Sequence, residues 1–315
     1  MLCIETIAQM RAWTSQTRAN GESIGFVPTM GCLHGGHAHL LRQARRNNDR
    51  LVLSVFANPL QFRRGAYEAY PRRLDEDLRL AEAGGVDVVF VPAVDVMYPH
   101  ISGLDELFGL QSGSSGPRDP ESFTIDDVGI DKSMSYIRVP DRLVMKMDGK
   151  DHPWHFDGVA TVVKLLFEAV GPDRAYFGKK DIQQLAILES MNAWLTTGIQ
   201  IVPVPVVREP DGLSSSSRLV MLDDQQRSIA VAVCKCVDRF VQDAQGGDRN
   251  TASLISELAL QIKSLPTHGN ELVIDSIDCV HPSSLQTVER PASPAVIYIA
   301  YIINGIRLAE SRRCE

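Results

Sequence analysis

In the first half of the chain, short apolar runs alternate with stretches whose apolar positions recur every three to four residues. Ile24 to Pro28 is a strand-like run that breaks at Thr29-Met30-Gly31, and a helical stretch follows from about His37 to Arg46. Leu51 to Phe56 is a second strand, ended by Asn58-Pro59. Leu74 to Ala83 is helical and stopped by Gly84-Gly85; Val86 to Val91 is a third strand, rich in valine. This β-α-β-α-β order predicts an α/β fold: a Rossmann-like parallel sheet with helices on both faces.

Tyr98 to Ser133 contains Gln-Ser-Gly-Ser-Ser-Gly-Pro and little periodicity after Phe108, so a long surface insertion over about 100–135 is expected. Order returns at Tyr136-Ile-Arg-Val-Pro140. Val159, Ala160, Val163, Leu166, Phe167 and Val170 keep helical spacing up to Gly171-Pro172. Ala175 to Phe177 reads as a strand, Asp181 as the cap of a helix reaching about Leu195, and Ile201 to Val207 as extended. After Asp211-Gly212 a serine-rich segment leads to helices with Ile229, Val233, Val237 and Phe240, then Leu254, Leu258 and Ile262, on one face. Leu272 to Asp275 and Ala295 to Ile302 read as strands. The expected division is a larger domain over 1–206 and a smaller α+β C-terminal domain over 207–315.

Composition narrows the function. With 315 residues, 44% hydrophobic, 23% charged and a net charge of −7, the chain is an ordinary globular protein and not a general binder of nucleic acid or anionic membrane. No uncharged apolar run reaches membrane-spanning length, and the first residues lack a secretory h-region, so a cytoplasmic protein is expected. The six cysteines form no framework and read as reduced thiols. Cys234-Lys-Cys236 could bind a soft metal, but in a helix neighbours two apart do not share a face.

The strongest chemical signal is Pro28-Thr-Met-Gly-Cys-Leu-His34-Gly-Gly-His37, placed after a strand and at a helix entrance. Imidazoles three apart lie on one side of that entrance, free backbone N–H groups there favour phosphate, and Gly31, Gly35 and Gly36 admit a nucleotide closely. The ordinary alternative is a pair of surface or capping histidines; a metal site of His34, His37 and His39 is weaker, lacking an acidic or thiol ligand at suitable spacing. The H-x-G-H pattern resembles that of nucleotidyl transferases attacking the α-phosphorus of ATP.

The wider string resembles the pantothenate synthetase family. Phe26-Val-Pro-Thr-Met-Gly, Ser54-Val-Phe-Ala-Asn58-Pro-Leu-Gln61-Phe62, Tyr70-Pro-Arg, the Asp75-Glu-Asp77 helix, Gly85-Val-Asp-Val-Val-Phe, Met97-Tyr-Pro and His155-Phe-Asp-Gly-Val-Ala-Thr follow in family order. Pro172-Asp-Arg-Ala-Tyr-Phe-Gly178-Lys-Lys180-Asp181-Ile-Gln-Gln184, Val207-Arg-Glu-Pro-Asp-Gly-Leu and Ser216-Ser217-Arg218 continue it. The resemblance covers most of residues 1–220 and is faint after about 230.

It implies a ligase that activates pantoate with ATP and Mg²⁺ as an acyl-adenylate, passes the acyl group to β-alanine, and works as a homodimer. Thr29, Met30, Gly31, Cys32, Leu33, His34, Gly35, Gly36 and His37 would line the ATP site, with His37 as proton donor and His34 beside the phosphates. Gly178, Lys179, Lys180, Asp181, Val207, Ser215, Ser216, Ser217 and Arg218 would complete it, Lys180 and Arg218 with catalytic charge. Gln61, Gln184 and Asn58 would bind substrate, since an amide both donates and accepts. Several positions depart from the family pattern. Its glutamate between the histidines is Gly35, its glutamate before the lysine is Lys179, and its asparagine after Ser-Ser-Arg is Leu219. His152 stands for an arginine and Trp154 for a glycine, and the insertion between Met97-Tyr-Pro and His155 is longer than in typical bacterial members. Two alternatives stay open: another nucleotidyl transferase, or a silent nucleotide-binding relative.

Overall fold

Ile24-Gly-Phe-Val-Pro-Thr29 offers no charged position to expose, and it forms a central parallel strand buried on both faces. The computed structural model describes residues 1–113, 118–128, 134–245, 249–291 and 294–314. In chain order the strands are β1 (Leu2–Ile4), β2 (Ile24–Thr29), β3 (Arg50–Val55), β4 (Val88–Phe90), β5 (Thr124–Val128), β6 (Met134–Arg138), β7 (Arg174–Gly178), β8 (Gln200–Val204), β9 (Leu272–Val280), β10 (Ala295–Ile303) and β11 (Ile306–Cys314). The helices are α1 (Ile7–Ala19), α2 (Gly35–Arg46), α3 (Arg64–Glu68), α4 (Leu74–Ala83), α5 (Val94–Met97), α6 (Leu104–Gly113), α7 (Asp141–Val144), α8 (Pro153–Val170), α9 (Ile182–Leu195), α10 (Asp224–Gln245) and α11 (Thr251–Lys263).

Six parallel strands run in the order β1-β4-β3-β2-β7-β8. Alternation decides which helices cover which face. Phe26, Val52 and Val88 join a core with α8 and α9; Val27, Leu53 and Val89 join one with Leu41 of α2 and Ala81 of α4. The chain leaves β2 for β3 on one side and reaches β7 on the other. Only Gly25 and Phe26 pair with β7, so the two strands part beyond Phe26. Pro28 falls in the unpaired part, where its missing N–H breaks no β7 ladder. A crevice beyond the strand ends at such a reversal is where α/β sheets bind ligands.

The remaining sheet, β11-β10-β9, is antiparallel. In β10, Val296, Tyr298 and Ala300 face the first core, while Ile297, Ile299, Tyr301 and Ile303 face α10 and α11. One strand thus joins the two halves of the chain.

Two expectations need correction. Tyr98–Ser133 is not an irregular stretch: α6 and β5 lie within it, while 114–117 and 129–133 fall outside the described residues. Leu104 and Leu107 pack inward, and the Gln111 amide donates to Pro59 O at 3.1 Å and Phe62 O at 2.8 Å, replacing the apolar periodicity that the sequence lacks. Asp181 precedes α9 but makes no side-chain cap; its carboxylate pairs with Lys180 instead.

Candidate active site

Gly31 to Leu33 must reverse direction between β2 and α2, and a buried carboxylate holds them there. Asp77 of α4, 2% exposed, accepts the N–H of Cys32 at 3.0 Å and of Leu33 at 2.7 Å. Gly31 has φ +84°, and a β-carbon there would sit 2.9 Å from Asp77 Oδ2, so the glycine is required twice over. Thr29 adds an Oγ1 that donates to Ser54 O at 2.7 Å and accepts from the Gly31 N–H at 3.2 Å. A cavity of about 270 Å³ opens beside Met30 and Gly31, bounded by Val55–Ala57 and by Arg72, Arg73 and Leu74.

His34 caps α2. The Gly36 N–H donates to His34 Nδ1 at 3.1 Å, and the His34 N–H donates to His37 Nδ1 at 3.2 Å, with ring centroids 4.2 Å apart. Both Nδ1 atoms therefore act as acceptors, which leaves each neutral ring with its proton on Nε2. Burial pushes His37 down to about 3, with the His34 ring and Lys180 adding in the same direction. Burial also lowers His34, and Lys180 adds to it. The pair is thus two neutral N–H donors at a helix entrance.

Lys180 and Asp181 follow β7 across the crevice, their ion pair at 3.1 Å. Crowding by protein would raise the Asp181 carboxyl, but Lys180 and Arg218 outweigh it and hold it below the usual range. Tyr70 is pushed up to about 12 by burial and by Cys32 and Asp77, against Arg218. Arg218 therefore lies within electrostatic reach of both sides of the crevice. Ser215 also meets α2: a β-carbon on Gly35 would sit 3.6 Å from its Oγ. The Ser215 N–H donates to Val207 O at 2.9 Å.

Gln61 is held from three sides. Its N–H donates to Asn58 O at 3.1 Å, its carbonyl faces His155 Nδ1 at 2.9 Å, and its Oε1 accepts from Asn58 Nδ2 at 2.9 Å. The Gln61 amide nitrogen is left to donate outward. Asn58 itself is fully buried, donating also to Gly158 O at 3.0 Å and accepting from Tyr98 OH at 2.6 Å. The expectation that it touches substrate gives way to one in which it aims Gln61. Gln183 and Gln184 diverge although adjacent. Gln183 is buried, with Nε2 donating to Leu143 O at 2.8 Å and Lys146 O at 2.9 Å. Gln184, one turn beyond Asp181 and half-buried, makes no side-chain hydrogen bond to a described residue.

Sequence reasoning does not single out Asp77, Tyr98 or His155 as site residues; the family-order strings contain all three, but nothing in residue type marks a carboxylate that holds a loop. Among the described residues no three His, Cys, Asp or Glu side chains converge as a metal cage would. Cys234 is buried and Cys236 half-buried on α10, and all six cysteines are free thiols. No described helix is long and apolar enough to cross a membrane.

The pattern of the pantoate-beta-alanine ligase family matches residues 2–311. The chain belongs to the pantoate-beta-alanine ligase family. A pantothenate synthetase of Heliobacterium modesticaldum is 39% identical over 316 residues, covering all of both chains. The crystal structure of a Thermus thermophilus pantothenate synthetase superposes with a TM-score of 0.80 at 34% identity, covering 100% of this chain and 99% of that one. A Francisella tularensis pantoate-beta-alanine ligase, solved with β,γ-ATP and β-alanine, shares the fold at a TM-score of 0.69 and 24% identity, over 100% and 98% of the chains.

Three of the departures sit among identifiable neighbours. Gly35 is exposed and faces Ser215, Leu219 is buried in the core with α10, and Lys179 lies within reach of Glu189. His152 precedes α8 with a buried Nδ1 that has no partner among the described residues.

Proposed function

We propose that this chain condenses pantoate with β-alanine at the expense of ATP, through a pantoyl-adenylate. The observation that carries this reading is the pair of neutral imidazoles at the α2 entrance, each with Nδ1 tied to backbone and Lys180 close by. A pantoate carboxylate oxygen attacks the α-phosphorus and pyrophosphate leaves. The His34 and His37 Nε2–H groups donate to phosphate oxygens, and Lys180 and Arg218 neutralise charge on the departing pyrophosphate. In this reading His37 acts as a hydrogen-bond donor in its neutral form, as a ring titrating near 3 must. The outward N–H of Gln61 and the unengaged amide of Gln184 hold pantoate. The β-alanine amine then attacks the acyl carbon, and AMP departs with the former carboxylate oxygen. No side chain forms a covalent intermediate.

Thr29 to His37, Gly178 to Asp181, Val207 and Ser215 to Arg218 surround ATP in this proposal. Residues 207–315 act as the lid that keeps water from the mixed anhydride. Mg²⁺ arrives with the triphosphate, which suits an ion that keeps its waters and phosphate oxygens. The six free thiols and the need for ATP support a cytoplasmic setting. A homodimer is the assembly expected from the family resemblance.

One assay tests the reading. With ATP, Mg²⁺ and pantoate, the protein is expected to release pyrophosphate, and adding β-alanine to give AMP and pantothenate. Pyrophosphate release that ignores pantoate, or that is supported by a phosphate ester instead, points to another nucleotidyl transferase; ATP binding without any release points to a silent relative.

A further inference from the structure

The segment between Val204 and Leu219 belongs to no named helix or strand, and Gly212 and four consecutive serines would let it wander. Yet Ser214 and Ser215 are buried. What fixes them is β11. Glu310, 3% exposed, accepts the Ser214 N–H at 2.7 Å and the Ser214 Oγ–H at 2.6 Å. Its charge is met by Arg208 at 3.1 Å and Arg312 at 2.7 Å. Arg208 also donates to Gly212 O at 3.0 Å and to Ser311 O at 3.1 Å, and Arg218 donates to Arg307 O at 3.1 Å. Burial would push the Glu310 carboxyl up, but the Ser214 hydrogen bonds and Arg312 outweigh it, so it is an anion.

Successive residues of β11 point to opposite faces. The neighbours of Glu310 therefore face the other way, toward the nucleotide-binding half. Ser311 Oγ donates to Lys180 O at 3.3 Å, Ala309 packs on the first core, and Arg307 pairs with Asp148. A single strand thus grips the Lys180 backbone with one face and Ser214 with the other. The distance between Lys180 and Ser215–Arg218 is set by the width of that strand.

Resting on the function proposed above, we infer that Glu310 is a positioning residue for ATP: it holds Ser214 so that Ser215 to Arg218 meet the phosphates opposite Lys180. It touches no substrate itself.

The test compares the parent protein with Glu310→Gln and Ser214→Ala. Mg-ATP affinity is measured by titration calorimetry, KM for ATP by pantoate-dependent pyrophosphate release, and folding by thermal unfolding. Glutamine keeps the shape but loses the charge and sets an N–H₂ against a donor. It should raise both Kd and KM for ATP by about tenfold, as loss of charge-assisted hydrogen bonds does. Ser214→Ala removes two hydrogen bonds, the one its Oγ donates to Glu310 and the one it accepts from Arg208 at 3.2 Å, leaves the Ser214 N–H on Glu310, and should raise both by about threefold, with KM for pantoate little changed. Folded variants with the parent's Kd and KM for ATP and only a lower Tm would overturn the inference, and Ser214→Ala decides alone if Glu310→Gln does not fold. A parent that binds ATP but releases no pyrophosphate overturns the functional reading, and calorimetry still decides on Glu310; a parent that does not bind ATP overturns both.

Discussion

A histidine can meet a triphosphate as a cation or as a neutral donor, and His37 is built for the second. Its Nδ1 is taken by backbone, and burial beside His34 keeps it uncharged. His37→Asn should slow pyrophosphate release by about a hundredfold or more, the usual cost of losing a donor aimed at developing charge. The same residue gives a stability prediction. Unfolded, the ring titrates at 6.5; folded, at about 3. As acid is added the unfolded chain therefore takes up this proton first. Its contribution is fully present above 6.5 and is lost as pH falls towards 3. Urea unfolding of His37→Asn should lose stability less steeply than the parent between those values; an equal slope would show that His37 is not held neutral by the fold.

At this scale the sequence is only partly legible. The histidines, Lys180 and Arg218 stand out because their types suit phosphate. Gln183 and Gln184 are identical in type, and only the backbone carbonyls of Leu143 and Lys146 around the first decide that it is structural. Asn58 looks like a ligand because it is polar; full burial makes it a support.

Among the elements, α8 and the turn at Pro59–Gln61 pack most closely at the site. A β-carbon on Gly158 would sit 2.4 Å from Leu60 O, and the Gly158 carbonyl accepts from Asn58. Gly158→Ala should therefore push the turn away and destabilise the fold by about 2 kcal/mol or more, read as a lowered denaturant midpoint. Unchanged stability would mean that the turn gives way freely. The strands with unbroken apolar runs, β2, β3 and β7, are readable because both faces are buried. The last strand is not. Ile306-Arg-Leu-Ala-Glu-Ser-Arg-Arg-Cys314 looks like a charged tail, yet Glu310 and Arg312 are the buried ionic centre of β11. Charges that satisfy one another inside a fold cannot be told from solvated ones by residue type.

At the scale of the whole molecule, the parting of β2 from β7 creates the crevice, and β10 and β11 bring a second unit over it. The parallel sheet and its order of helices follow from the alternation of the first half. That the serine segment would face α2 does not, because Gly35 and Ser215 are far apart in the chain and meet only through contacts made by β11. On this account the crevice joins a carboxylate oxygen to the α-phosphorus and to no other atom of ATP. Pantoate labelled with ¹⁸O in its carboxylate tests that most directly. The AMP formed alongside pantothenate should carry one ¹⁸O atom from the acid. Unlabelled AMP, or ADP with labelled phosphate, would mean that activation takes another route.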